Sequence, residues 1–161
     1  MYHYSLINVW NNKSPELTQE IIDFWLSEKV ISEPDARQRV NQVFIIARDQ
    51  EGEIIGVNTI YKQYNTQLDN LLFYYRTYIS PRARGSQIAL EMMLATRDYL
   101  EARYDDTREA DAIGILLEVE NKKLQKRLNQ AIWPGSNFVY IGKNKRGYHM
   151  RVYYFKNALI S

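Results

Sequence analysis

The 161-residue sequence contains no cysteine. That absence excludes disulfide frameworks, thiolate nucleophiles, redox pairs, iron–sulfur clusters and sulfur-ligated zinc, which leaves nitrogen and oxygen to carry any chemistry. Histidine is almost as scarce: His3 and His149 are far apart, no H-E-x-x-H spacing occurs, and no metal is expected. With 7 Gly and 4 Pro against 45% hydrophobic residues, the composition is neither low-complexity nor disordered. No apolar run approaches the roughly 18 residues of a membrane span. The opening MYHYSLINVW lacks a basic start followed by an apolar stretch, so a cytoplasmic location without a membrane partner is expected. An excess of one charge is missing too: 21 basic residues face 19 acidic ones, and a net charge of +2 is too mild to imply nucleic acid by itself.

Several nucleotide and hydrolase motifs are likewise missing. Gly142-Lys143 is followed by Asn144, so no phosphate loop G-x-x-x-x-G-K-[ST] exists, and neither G-x-S-x-G nor G-x-G-x-x-G occurs. Kinase, ATPase, hydrolase and dinucleotide readings lose their support.

What is present suits one domain spanning residues 1–161, long enough to bury roughly two-thirds of the unfolded chain's surface. Residues 5–10 read as a strand. Ser14, Pro15 and Glu16 then supply an N-cap, a first helical position and an acidic first turn, predicting a helix over Pro15–Val30 with Leu17, Ile21, Ile22, Trp25 and Leu26 on one stripe. Ser32, Pro34 and Asp35 start a second, shorter helix. The β-branched and aromatic runs 42–48 and 53–64 flank the turn DQEG and form a hairpin. Residues 71–79, LLFYYRTYI, are apolar or aromatic on both faces and predict a central strand. A helix over Gln87–Tyr104 follows, with Ile88, Met92, Ala95 and Tyr99 on one face. The apolar run 112–119 then reads as a buried strand parallel to 71–79. A helix over 121–131, a turn at 133–137 and strands 138–142 and 148–155 joined by KNKRG complete the order β-α-α-β-β-β-α-β-α-β-β.

The segment YISPRARGSQIALEMM, residues 78–93, carries the most chemistry, because a buried strand ends in a Pro, two Arg and a Gly before a helix begins. The first turn of a helix exposes backbone N–H groups without partners, and the macrodipole adds partial positive charge, so a diphosphate can be held largely by main chain. Gly85 lets the backbone approach closely, while Arg82 and Arg84 add charge and forked donors. The alternative is a glycine turn capped by solvated arginines.

Here the sequence resembles the GCN5-related N-acetyltransferases (GNAT superfamily), whose diphosphate loop reads Arg/Gln-x-x-Gly-x-Gly/Ala at the start of the third helix. Arg84, Gly85, Ile88 and Ala89 fit it, within Arg84-Gly85-Ser86-Gln87-Ile88-Ala89, and Ile79-Ser80-Pro81 resembles the Val-x-Pro that precedes it. Gln87 departs, standing where the family has its middle Gly. The resemblance implies an α/β (α+β) fold with a mixed, mostly antiparallel sheet and a central splayed parallel strand pair flanked by helices. It implies acetyl-CoA as acyl-donor cosubstrate, its diphosphate on Arg84, Gly85, Ser86, Gln87, Ile88 and Ala89. It also implies that the pantetheine arm pairs with main chain at Thr77, Tyr78 and Ile79, a mode that tolerates varied side chains. Asn121, followed by Lys122-Lys123-Leu124, is similar to the family's Asn-x-x-Ala contact to the cofactor arm. Seven residues later the family carries a Tyr that protonates the departing thiolate; Leu128 stands there instead. A thiol with a pKa near about 8.5 leaves without an obligatory proton donor.

Acetyl transfer needs a neutral amine, a polarised thioester carbonyl and a path for the amine's proton. Glu118, near the end of strand 112–119, is the candidate base, and Tyr140 the candidate to shape the site or donate a proton; a solvated carboxylate and a packing tyrosine are the plain alternatives. Without cysteine no thiol acyl-enzyme can form, so the expected activity is an acetyl-CoA-dependent N-acetyltransferase with direct attack by an acceptor amine of unassigned identity. The rival is a non-catalytic binding module of the same fold, holding CoA or contacting nucleic acid through Lys122, Lys123, Lys126, Arg127, Lys143, Lys145 and Arg146; a solvated face is favoured for these cations. The aromatic final strand raises a homodimer as an alternative to internal sheet packing.

Overall fold

The structure, a computed structural model, describes residues 3–107, the last three by backbone alone, and residues 112–160. Its elements are β1 (Tyr4–Asn8), α1 (Pro15–Ser27), α2 (Glu33–Arg39), β2 (Val43–Asp49), β3 (Ile54–Asn65), β4 (Asn70–Ile79), α3 (Ile88–Thr107), β5 (Gly114–Val119), α4 (Lys122–Arg127), β6 (Val139–Lys143) and β7 (His149–Tyr154). Their order matches the expected one. The fold is α/β: seven strands form one mostly antiparallel sheet in the order β1-β2-β3-β4-β5-β7-β6, with one parallel pair, β4–β5, flanked by helices. The chain divides into two compact units, one built from the residues up to Ile60 with Thr77–Thr96, the other from Tyr61–Arg76 with the residues from Arg97 onward.

The first unit is organised by α1. Ser14 Oγ accepts the N–H of Leu17 at 3.1 Å and Pro15 opens the helix. Ile21, Ile22 and Trp25 form its buried stripe, packed with Ala36, Val43, Ile46, Ile54 and Val57. Each such aliphatic side chain contributes about 1.5–3 kcal/mol on burial. The helix stops at Ser27, short of the expected Val30. Lys29 adopts φ 57°, its N–H bonds the Leu26 carbonyl at 3.1 Å, and the N–H of Val30 bonds the Trp25 carbonyl at 3.0 Å. This pair of bonds caps the helix with a left-handed residue that is usually glycine.

In the second unit β4 and β5 run parallel from Phe73 opposite Ile115 to Tyr75 opposite Leu117, and β5 pairs antiparallel with β7. One face buries Leu72, Tyr74, Leu116, Met150 and Val152. Elsewhere the unit packs rings, with Phe155 meeting Phe73 at 6.3 Å and Tyr104 at 5.6 Å between centroids. The aromatic strand β4 is thus interior.

Two further helix expectations are corrected. On α3, Ile88 and Met92 are buried as expected, but Ala95 and Tyr99 are exposed, and Thr96, Leu100 and Tyr104 take their place inside. Thr96 was hidden from a hydrophobicity reading by its hydroxyl, which donates to the Met92 carbonyl at 2.8 Å and accepts Asn58 Nδ2 at 3.0 Å. Helix α4 spans six residues rather than eleven. The carbonyl of Leu128, which a longer helix would use internally, instead accepts Trp133 Nε1 at 2.9 Å and Arg151 Nη2 at 3.1 Å.

Candidate functional site

β4 ends on Ile79, which closes over Gly56: a Cβ at Gly56 would lie 2.8 Å from Ile79 Cδ1 and 3.4 Å from Met92 Sδ. The strand end and α3 are therefore seated on a residue that has no side chain. Ser80 donates its N–H to the Ile55 carbonyl at 2.8 Å, and Pro81 sets a single 3-10 turn closed by the N–H of Ala83 on Ser80 at 2.9 Å. Gly85 follows at φ 86°, a left-handed conformation that side chains rarely adopt. Ser86 Oγ donates to the Ala83 carbonyl at 2.7 Å, and the Gln87 carbonyl accepts the N–H of Glu91 at 2.9 Å, the first bond of α3.

This geometry leaves donors unused. Among the described residues, no protein acceptor takes the backbone N–H groups of Gly85, Ser86 or Gln87. A Cβ at Gly85 would meet nothing within 4 Å, and the Gln87 side chain is exposed. The departure at Gln87 therefore leaves the loop's amides unfilled. Together with the first-turn amides and positive dipole end of α3, the loop has the donors that a diphosphate requires.

Arg84 is fixed in place. Its Nε donates to the Ile79 carbonyl at 3.0 Å, and its guanidinium lies 5.4 Å from the ring centroid of Tyr78. The exposed fork keeps its terminal nitrogens for an anion. Arg82, expected to add charge to the same loop, is directed elsewhere: its Nη1 meets Asp49 Oδ2 at 2.8 Å. That pairing holds the Asp49 carboxyl below its ordinary range. Glu91, in the first turn of α3, accepts the hydroxyl of Tyr4 and keeps its negative charge there. Burial, reinforced by Glu91, pushes that hydroxyl up to about 12.

Of the pantetheine-arm residues implied by the resemblance, Thr77 is exposed, Tyr78 half-buried and Ile79 buried. Ile88 is fully buried, and Ala89 is exposed one residue into α3. These residues and Arg84–Gln87 belong to the first unit. The same unit holds a cavity of about 660 Å³ whose lining sets Glu16, Glu20, Asp23, Glu28 and Glu53 against Arg82, an acidic excess that disfavours phosphate. Among the described residues, no group of three or more His, Asp or Glu is placed to hold a metal ion.

Asn121, Glu118 and Tyr140 lie in the second unit. Asn121 Oδ1 caps α4, accepting the N–H groups of Lys123 at 2.9 Å and Leu124 at 3.1 Å, so only its Nδ2 remains for a ligand. Glu118 is exposed, and its Oε2 accepts Asn144 Nδ2 at 2.7 Å. The register opposes Glu118 with Met150, and Tyr140 with Arg151. Opposed residues share a face and successive residues alternate, so Glu118 and Tyr140 project from opposite faces of the β5–β7–β6 ladder.

Tyr140 instead packs on two neighbours. Its ring meets His149 edge-on at 5.2 Å between centroids, and the Arg151 guanidinium lies 5.8 Å from its centroid. Burial, with repulsion from Lys143 and Arg151, pushes the His149 imidazole below its ordinary value. The sequence reading missed Arg151. It is 2% exposed, stands 4.3 Å from the Trp133 ring centroid and reaches the carbonyls of Leu128 and Ala131. The available signal was a lone arginine inside HMRVYYF.

No family model and no curated protein matches the sequence. Solved structures do match in fold. An acetyltransferase of the GNAT family from Streptococcus pneumoniae superposes with a TM-score of 0.66 at 11% identity, over 96% of this chain and 100% of that one. The ribosomal-protein-S5-alanine acetyltransferase of Vibrio fischeri gives a TM-score of 0.62 at 14% identity, over 99% and 97%. AtaTR bound with AcCoA gives 0.61 at 11% identity, over 94% and 93%. The element order, the parallel pair and the strand–turn–helix loop thus belong together: the chain has the fold of the GCN5-related N-acetyltransferases.

Proposed function

We propose that the chain, acting as one acyl-CoA-binding domain, is an acetyl-CoA-dependent N-acetyltransferase. The observation that carries this reading is the row of unused amides at Gly85, Ser86 and Gln87 in front of α3, with Gly85 held at φ 86° and nothing beside its α-carbon. The left-handed glycine keeps the backbone free of a side chain where those amides stand.

In this reading the amides of Gly85, Ser86, Gln87 and Ala89 and the Arg84 fork bind the diphosphate, while the N–H of Ile88 stays on Ser86 Oγ at 3.4 Å, and main-chain groups of Thr77–Ile79 pair with the pantetheine arm. Asn121 Nδ2 contributes a further donor. The bound thioester supplies an activated acetyl group, and a neutral acceptor amine attacks it directly. Glu118, an exposed residue, takes the proton that the amine loses, and its bond to Asn144 holds the carboxylate in position. Leu128 provides no acid, consistent with a thiolate leaving group of pKa about 8.5. Tyr140, packed on Arg151 and His149, is placed to shape the site or to donate a proton.

Isothermal titration with acetyl-CoA, paired with thiol release across a panel of small amines, peptides with free N-termini and lysine peptides, tests the proposal. Saturable binding with release for at least one amine is expected. Absence of binding at about millimolar ligand, an affinity worth only about 4 kcal/mol, would overturn it.

A further inference from the structure

We infer that the end of the second unit formed by α4 and the β6–β7 loop is a nucleic-acid-binding face. The topology collects cations there that are scattered in sequence. β5 runs from Val119 into α4, Val119 opposes His149 on β7, and His149 opposes Lys143 on β6. The start of α4 and the loop after Lys143 therefore lie at the same end of the ladder, and the bond from Asn144 to Glu118 ties the loop to β5.

Lys122, Lys123, Lys126, Arg127, Lys143, Lys145 and Arg146 are all exposed. Among the described residues none of the seven is in an ion pair or gives a side-chain hydrogen bond. The chain's formal charge is only +2, so the remaining residues carry an excess of carboxylates. The cations are concentrated rather than typical. Glu118 and Glu120 are the acidic residues in the same stretch, too few to neutralise them.

The fold does not need these charges. Asn121 caps α4, and Asn144 Oδ1 closes the loop by accepting the N–H groups of Arg146 at 2.9 Å and Tyr148 at 3.0 Å. Unpaired like charges repel one another and oppose the compact state, whereas a polyanion turns each of them into a phosphate contact. An acidic protein would fit less well, because protein interfaces centre on apolar surface and the apolar residues of this helical end, Leu124 and Leu128, are half-buried. Nucleic acid asks for charge first and ring faces second. Tyr148 within the loop and Tyr140, 38% exposed, supply the rings. This inference stands without the transferase reading.

Fluorescence anisotropy of a fluorescein-labelled RNA hairpin of mixed sequence, titrated with the full chain from about 50 to 300 mM KCl, tests it. Saturable binding is expected, with an affinity that falls steeply with salt. The variant carrying Lys143→Ala, Lys145→Ala and Arg146→Ala should bind about ten-fold or more weaker and lose about two to three from the log–log salt slope. Arg37→Ala, on α2 of the other unit, should leave both unchanged. Unaltered thermal unfolding of the triple variant would show that it is folded. The inference is overturned by no anisotropy change at the lowest salt, by a slope the triple variant does not alter, or by polyglutamate competing as well as unlabelled hairpin. It is also overturned if CoA displaces the RNA and the triple variant loses acetyl-CoA binding, since the cations would then serve the cofactor. A Gly85→Ala chain that loses acetyl-CoA but keeps RNA separates this face from the acyl-donor site.

Discussion

Arg84 donates its Nε–H to the carbonyl of Ile79 at 3.0 Å, so the side chain that follows the strand is fastened to the strand's last residue. The guanidinium is positioned before any ligand arrives, its plane supported by the Tyr78 ring. Pre-organisation of this kind reduces the ordering lost on binding.

Arg84→Lys should therefore weaken acetyl-CoA although it keeps the charge. An ammonium cannot bond Ile79 and present a fork together. Titration calorimetry should show about ten-fold weaker binding, equivalent to about 1.4 kcal/mol, with the melting temperature little changed because the residue is exposed.

Gly85→Ala should disturb the loop through its backbone. No neighbour would clash with the new methyl group, but φ 86° penalises it by about 1–2 kcal/mol. The turn would relax and carry its amides away from their present alignment. Acetyl-CoA affinity should fall by about ten-fold or more, while equilibrium unfolding should register a loss of about 1 kcal/mol.

Lys29→Gly should stabilise the protein. Lys29 holds the left-handed cap of α1 at φ 57°, where glycine has no steric penalty. Urea denaturation should show a gain of about 0.5–1 kcal/mol with an unchanged slope. A loss would mean that the lysine stem packs usefully at this cap.

Alkaline titration should find Tyr4 and Tyr153 ionising late. Burial, reinforced by Glu91 and Glu101, pushes the hydroxyls of Tyr4 and Tyr153 from 10.0 up to about 12. A group whose folded value lies above its unfolded one adds stability below the unfolded value and loses it on the way up. Stability should decline between about pH 10 and 12, read by denaturation at stepped pH and by tyrosinate absorbance. Glu101→Gln should bring Tyr153 down, because its hydroxyl donates to Glu101 Oε2 at 2.6 Å.

The strands and helix starts were legible because their signals are local. Ser14-Pro15 and Ser32 cap as expected, and the aromatic run 71–79 is the interior strand its two-faced composition suggests. The resemblance at Arg84–Ala89 pointed to the loop whose donors are unused. Helix ends were less legible, since α1 stops on a left-handed lysine and α4 stops where distant Trp133 and Arg151 claim a carbonyl. The arrangement of the expected base Glu118 and its partner Tyr140 was the least legible. Whether Glu118 and Tyr140 share a face depends on β7 lying between their strands, and β7 comes last of the three in sequence.

That insertion has a consequence for synthesis on the ribosome. β6 is made before β7 but takes its place in the sheet by pairing with it, and β7 also covers the open edge of β5. Until Tyr154 has emerged, β5 must wait with unsatisfied backbone groups and β6 without its neighbour. The nascent chain thus carries a sticky edge late in translation, and a stop codon or proteolytic cut just before His149 would remove a middle plank rather than trim the rim.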